Sequence, residues 1–293
     1  MSPVPNPLPI ARFFAANDAL LERMEPTWWG AVATDRRFPN VYDVNYARVD
    51  RATPDLRLKD VEGPLLPALR ESGAGHFHVV VFEPHGCRQL LEDLQRAGHV
   101  LYWDSVMEFR GQAPDLTRPG HAVAELDPSL AELWTLQDLL FREFGVSDPE
   151  ARRQLVSWAR DVLAPAGRKW FGVELDGGMA GMGSVQVQAG VGYVDDVLTL
   201  PLYRRRGVAT SIIRRLVAEA RGAGAERVLL LSDDPDPTRL YRALRFEEVG
   251  RVASVTTRLS AQDQDSGSSG SPRSGAASPL VVDGDPAHGA GPG

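Results

Sequence analysis

Residues 204–210 read Arg204-Arg205-Arg206-Gly207-Val208-Ala209-Thr210, and they lie between a strand-like run and an amphipathic helical one. In Arg204-x-x-Gly207-x-Ala209 the small residues stand where backbone N–H groups must come close to a ligand. The helix that follows turns its positive dipole end to the same place. Such a turn holds a pyrophosphate. The arginines point the same way: cations oppose the dipole at a helix N-terminus, so an anion is needed to compensate. Arg204, Arg205 and Arg206 can also add charge-assisted bonds to phosphate.

The flanks support this reading. Val191 to Leu200 is rich in β-branched and aromatic residues, which predicts a strand. From Val208 the apolar positions Ile212, Ile213, Leu216, Val217 and Ala220 recur at helical spacing, and Gly222 and Gly224 supply a stop. Arg227–Ser232 has the length and apolarity of a buried strand. A short helix over Pro237–Leu244 and a last strand over Phe246–Leu259 complete the order. Upstream, Asp127-Pro128 is read as an N-cap and first-turn proline for a helix through about Phe144. Ser147-Asp148-Pro149-Glu150 repeats the signal for a helix ending near Leu163. Strands at Lys169–Leu175 and Met179–Val187 are joined by the hairpin turn Asp176-Gly177-Gly178.

On Arg204-x-x-Gly207-x-Ala209 and on Leu240-Tyr241-x-x-Leu244-x-Phe246, residues from about 121 to 259 resemble the GNAT superfamily of N-acetyltransferases. The resemblance implies an α/β (α+β) GNAT fold with a mixed central sheet flanked by helices. It also implies acetyl-CoA as co-substrate, without a metal. The family pattern would have Arg205, Arg206, Gly207, Val208, Ala209 and Thr210 wrap the pyrophosphate. The strand edge at Val197, Leu198 and Thr199 would pair with the pantetheine amides, and Asp234 would stand where relatives carry a cofactor-contacting asparagine.

The same resemblance makes Tyr241 the catalytic acid that protonates the departing thiolate; a phenol with a pKa near ~10 stays protonated at neutral pH. Relatives place an acidic residue on the cofactor strand facing the amine. Asp195 and Asp196 both qualify, yet alternation along a strand sends them to opposite faces, so at most one faces the cleft. Asp196 is favoured. Arg245 replaces the family's glycine, which costs roughly 1 kcal/mol if the position has positive φ.

His76–Phe82, Arg88–Ala97 and Val100–Phe109 read as strand, helix and strand, like residues 227–259 but with no Arg-x-x-Gly-x-Ala turn ahead of them. This half looks like a degenerate GNAT copy. The division expected is an extended lead-in at 1–10, a degenerate GNAT-like domain at 11–115, a catalytic GNAT domain at 121–259, and a disordered Gly/Ser/Pro/Asp tail at 260–293. A Gly/Pro stretch at 111–120 separates the halves.

The net charge of -7 argues against a general nucleic-acid binder. Four aspartates against Arg273 give the tail -3 of that total. The single Cys87 excludes an internal disulfide and fits a reducing cytosol. With no apolar run of ~20 residues and no export signal, the expectation is a cytoplasmic protein, monomer or homodimer, that leaves membranes and nucleic acid alone.

Other conspicuous residues are read blandly. His76 and His78 share a strand face but lack further ligands at metal-binding spacing. Trp28, Trp29 and Tyr42 are expected in the core or between the halves. Cys87 is read as a spectator thiol, although the helix start after Gly86 can depress its pKa. Gly177, Gly178, Gly181 and Gly183 are not a phosphate loop, because no lysine and Ser/Thr follow.

The function expected is acetyl-CoA-dependent transfer of an acetyl group to a primary amine, of a small molecule or peptide, by direct attack in a ternary complex. The alternative is a non-catalytic acyl-CoA-binding regulatory module.

Overall fold

Asp176 and Gly177, at φ of 55° and 81°, close the hairpin that the Asp-Gly-Gly triplet predicts. Its two strands belong to a sheet that runs through the whole chain. The computed structural model describes residues 8–112, 120–233 and 235–259. Position 234 and the tail from 260 lie outside the described residues, so Asp234 and the expectation of a disordered tail do too.

The first half contains α1 (Pro9–Asp18), β1 (Arg23–Pro26), β2 (Gly30–Thr34), β3 (Tyr46–Val49), α2 (Leu58–Ser72), β4 (His76–Val81), α3 (Arg88–Arg96) and β5 (Tyr102–Phe109). The second contains β6 (Ala124–Leu126), α4 (Ala131–Glu143), α5 (Pro149–Trp158), β7 (Lys169–Leu175), β8 (Gly178–Gln188), β9 (Val191–Thr199), α6 (Val208–Gly222), β10 (Arg227–Ser232), α7 (Pro235–Ala243) and β11 (Phe246–Arg258). The eleven strands among the described residues form one sheet in the order β1-β2-β3-β4-β11-β5-β10-β9-β8-β7-β6.

That order carries an exchange. In each half a helix joins two parallel neighbours: α2 between β3 and β4, α6 between β9 and β10. A second helix then leads to a last strand. Yet β5 lies against β10, from Ser232↔Ser105 to Leu229↔Glu108, and β11 lies against β4, from Ala253↔Val81 to Arg258↔His76. The two last strands also pair with each other, Phe246↔Phe109 through Ser254↔Tyr102. Each half thus completes the other's sheet.

The helix α6 is held by packing. Val208, Ile212, Ile213, Leu216, Val217 and Ala220 are all at most 1% exposed, and each large side chain contributes about 1.5–3 kcal/mol by burial. Gly181 and Gly183 let the helix approach. A Cβ at Gly181 would meet Leu198 O at 2.5 Å, and one at Gly183 would meet Ile212 Cγ2 at 2.8 Å.

Three local expectations change. α1 starts at Pro9, inside the stretch read as a lead-in, and sets Phe13 4.8 Å from the Tyr193 ring. Asp127-Pro128 does not start α4. The Asp127 carboxylate accepts from Ser129 N at 2.8 Å, and this local turn delays the helix to Ala131. Asp148 does cap α5, accepting from Glu150 N at 3.0 Å, and one π-helical turn extends that helix to Leu163. Trp29 is core at 1% exposure, whereas Trp28 stands 59% exposed, contrary to the expectation that both are packed.

Candidate functional site

β9 and β10 run side by side only where Val191–Tyr193 face Arg227–Leu229. Beyond Tyr193 they part, while β9 stays paired to β8 as far as Thr199. The stretch Val197-Leu198-Thr199 therefore keeps one edge that β10 does not take. Val197 faces the α6 side, Leu198 is buried against α4 and α5, and the Thr199 Oγ1 is buried with no partner among the described residues. What these residues offer a ligand is backbone and one hydroxyl.

A 3₁₀ turn, Pro201–Tyr203, leads from that edge to α6. Arg205 has φ 60°, and Gly207, at the N-cap of α6, has φ 85° in the left-handed region. A Cβ at Gly207 would meet nothing nearer than His121 Nε2 at 4.0 Å, so conformation rather than space selects glycine here. Residues 204–207 are exposed and the N-cap carries no side-chain capping bond, so the first-turn amides of α6 face outward. The Val208 side chain is core, leaving its backbone to the site; Ala209 and Thr210 are half-buried. Two of the three arginines brace the turn. Arg204 Nε donates to Thr199 O at 3.2 Å, and Arg206 pairs with Asp176 at 3.1 Å while its guanidinium lies over Tyr203. His121 donates to Arg206 O at 2.7 Å, and its own N–H bonds Ser211 Oγ at 3.0 Å.

Among the described residues of the first half no such turn exists. Helix α2 has Arg57 at its N-cap, whose N–H donates to Asp60 and whose guanidinium pairs with Asp93. Its N-terminus is filled by the chain's own carboxylate.

Tyr241 sits on α7, 9% exposed, among the apolar residues under α6, with its ring 5.9 Å from Phe246. Arg245, the residue immediately before β11, has φ 71°, the left-handed conformation that a glycine adopts without strain.

The largest departure concerns Asp195 and Asp196. Register slips between Met182 and Ser184, and Asp196 takes φ 56°. This bulge turns both carboxylates to the same side, away from α6, against the alternation that sent them to opposite faces. Arg168 Nη1 lies 3.1 Å from Asp195 Oδ2 and 3.6 Å from Asp196 Oδ2. Asp196 also accepts from Ser184 Oγ at 2.8 Å and Gln137 Nε2 at 3.0 Å. Burial, and then the charge of Asp196, raises the Asp195 pKa.

Both carboxylates open onto a cavity of about 140 Å³ between the halves. Phe13, Phe14, Phe141, Phe144, Trp158 and Tyr193 give it aromatic walls. Asp43 and Asp104 face it from the first half. Burial, and then Asp195, pushes Asp43 up to about 7; burial, and then Asp233, does the same to Asp104. Neither has a hydrogen bond or ion pair among the described residues. Sequence reasoning missed Asp43, Asp104, Arg168, Ser184 and Gln137. Asp104 alone left a trace, since it shares a strand face with Tyr102 and Val106.

His76 and His78 are buried side chains with pKa values lowered by desolvation to about 4 and about 3. His78 donates from Nδ1 to Val255 O at 2.9 Å. The Cys87 thiol is buried, and burial raises its pKa rather than lowering it. Among the described residues no helix is long and apolar enough to cross a membrane.

Comparison with known proteins bears on this geometry. Residues 133–246 match the model of the acetyltransferase (GNAT) family. A GCN5-related N-acetyltransferase from Kribbella flavida superposes with a TM-score of 0.53 at 18% identity, over 84% of this chain and 94% of that one. A functionally unknown conserved protein from Staphylococcus epidermidis gives 0.59 at 10% identity, over 78% and 90%. A GNAT-family protein from Novosphingobium aromaticivorans is 24% identical over 54% of this chain, with a TM-score of 0.41; this chain spans 64% of its length. No curated protein matches. The likeness to the Kribbella flavida protein shows the GNAT fold.

Proposed function

We propose that this chain, whose residues 133–246 match the GNAT acetyltransferase family model, transfers an acetyl group from acetyl-CoA to a primary amine by direct attack in a ternary complex. One observation carries the reading. The left-handed Gly207 turn and the free edge of β9 lead, residue by residue, to a carboxylate-bearing cavity. A diphosphate fits the outward amides of α6, and an extended amide chain fits the edge at Val197–Thr199 with the unpaired Thr199 hydroxyl. Acetyl-CoA supplies the acetyl group as an activated thioester.

The chain's residues then have separable tasks. The amine arrives as an ammonium, and Asp196, with Asp195 beside it, takes one proton. The freed nitrogen lone pair forms the C–N bond as the C–S bond breaks. Tyr241 gives its phenolic proton to the leaving sulfur, the nitrogen's surplus proton restores the phenol through solvent, and Asp196 releases the proton it took to solvent. Asp196 and Tyr241 stand on opposite faces of the sheet, where parted β9 and β10 open it. The walls of the cavity exclude water, which strengthens the charges inside.

The test is free-thiol release from acetyl-CoA over an amine panel, beside calorimetry with coenzyme A. Tyr241→Phe lowers kcat about 100-fold and leaves coenzyme A affinity unchanged. Turnover undiminished in this variant removes the acid assignment. Absence of coenzyme A binding at millimolar concentration removes the function.

A further inference from the structure

The charges around the cavity do not balance. Asp18 is matched by Arg48 at 2.6 Å and by the Tyr46 hydroxyl at 2.9 Å. His78 is neutral, and its Nδ1–H is used by Val255. Asp195 and Asp196 share the single Arg168. That leaves Asp43 and Asp104 facing the cavity without a cation, and Asp104 is only 9% exposed. Gln137, 1% exposed, spends its amide N–H on Asp196 and keeps its Oε1 unpartnered in the same lining. Among the described residues the wall therefore presents surplus carboxylates and no surplus cation; its unpartnered donor, the Trp158 Nε1–H, is neutral. Its remaining surface is mostly aromatic and aliphatic, and a cavity near 150 Å³ accommodates about one benzene ring.

We infer that the acceptor is a compact diamine, a dication whose apolar spacer is about one ring in size: one amine is acetylated at Asp195/Asp196 while the other is held by Asp43, Asp104 and the Gln137 carbonyl. This inference rests on the acetyltransferase reading. A buried ammonium satisfies both the unpaired carboxylates and the orphan carbonyl, and the rings add cation–π attraction. A monoamine leaves two buried carboxylates uncompensated. No group of three or more His, Cys, Asp or Glu among the described residues is disposed to hold a metal instead.

Calorimetry of the full chain at pH 8 with 1,4-bis(aminomethyl)benzene, benzylamine and coenzyme A decides the matter. The diamine binds at least about tenfold more tightly than benzylamine. The double variant Asp43→Asn/Asp104→Asn brings the two within about twofold while its coenzyme A affinity matches the unsubstituted protein, which shows that it folds. Equal affinity for the two amines, or a preference that survives the double substitution, overturns the inference. So does Mn²⁺ binding that displaces the diamine. Coenzyme A failing to bind while the diamine preference persists overturns the acetyltransferase reading and leaves the cavity assignment standing.

Discussion

Asp195 and Asp196, adjacent on β9, turn their carboxylates to the same side of the sheet, and Arg168 reaches both. Two acids that close cannot both ionise cheaply without that guanidinium. Arg168→Met therefore destabilises the protein by about 3 kcal/mol at pH 8. The sign of the pH effect follows from linkage. Burial already raises the Asp195 pKa to about 6 against the pull of Arg168; without that guanidinium it rises further, so the folded state binds more protons, and lowering the pH restores stability. Urea unfolding at pH 8 and pH 5 checks this; an equal loss at both values contradicts it.

Arg245 holds φ 71° at an exposed position where the family resemblance leads one to expect glycine. A left-handed non-glycine residue costs roughly 1–2 kcal/mol, offset in part by the greater freedom of glycine in the unfolded chain. Arg245→Gly raises stability by about 0.5–1 kcal/mol, read from the denaturation midpoint at unchanged m-value. A drop in stability means that the Arg245 side chain makes a contact worth more than the strain.

The second half was legible because its signals are local: a β-branched run, an Asp-Gly turn, an amphipathic helix between two glycine-rich ends. Much of the first half was not. Strands β1 to β3 have only four or five residues, too few for a period-two pattern to stand out. α2 carries Pro64 and Pro67 inside it and is held nonetheless by Val61, Leu65, Ala68 and Leu69 against the sheet. The candidate site divides the same way. The turn at Arg204–Thr210 is contiguous and could be read. Asp43, in the turn Tyr42–Val44, and Arg168, just before β7, come from opposite halves, Asp104 is carried by β5, which crosses to β10, and the bulge at Asp196 hides in a dihedral that alternation cannot reveal.

Asp104 is buried beside the charge of Asp233, and its pKa is raised to about 7. A carboxyl whose folded pKa exceeds its unfolded value near ~3.9 binds more protons when folded, so stability falls as pH rises between about 4 and about 7. Asp104→Asn removes that penalty. The variant is more stable than the unsubstituted protein by on the order of 2 kcal/mol at pH 8 and gains nothing at pH 4. Thermal unfolding across this range shows the two curves converging on the acid side. Curves that stay parallel would mean Asp104 does not titrate there.

Gly181 lies opposite Thr199, at the end of β8 nearest the turn that leads to α6. An added Cβ would stand 2.5 Å from Leu198 O and 2.8 Å from Val208 Cγ1. One neighbour is backbone and the other is the first residue of α6, so neither gives way without moving the turn. Gly181→Ala therefore costs about 2 kcal/mol in stability and weakens coenzyme A binding about tenfold, because the Gly207 amides shift with the helix. Gly222→Ala, with nothing within 4 Å of its added Cβ, leaves coenzyme A affinity as it is. Calorimetry on the pair separates displacement of the turn from a general effect of replacing glycine; equal affinities for the two variants would detach the turn from the ligand.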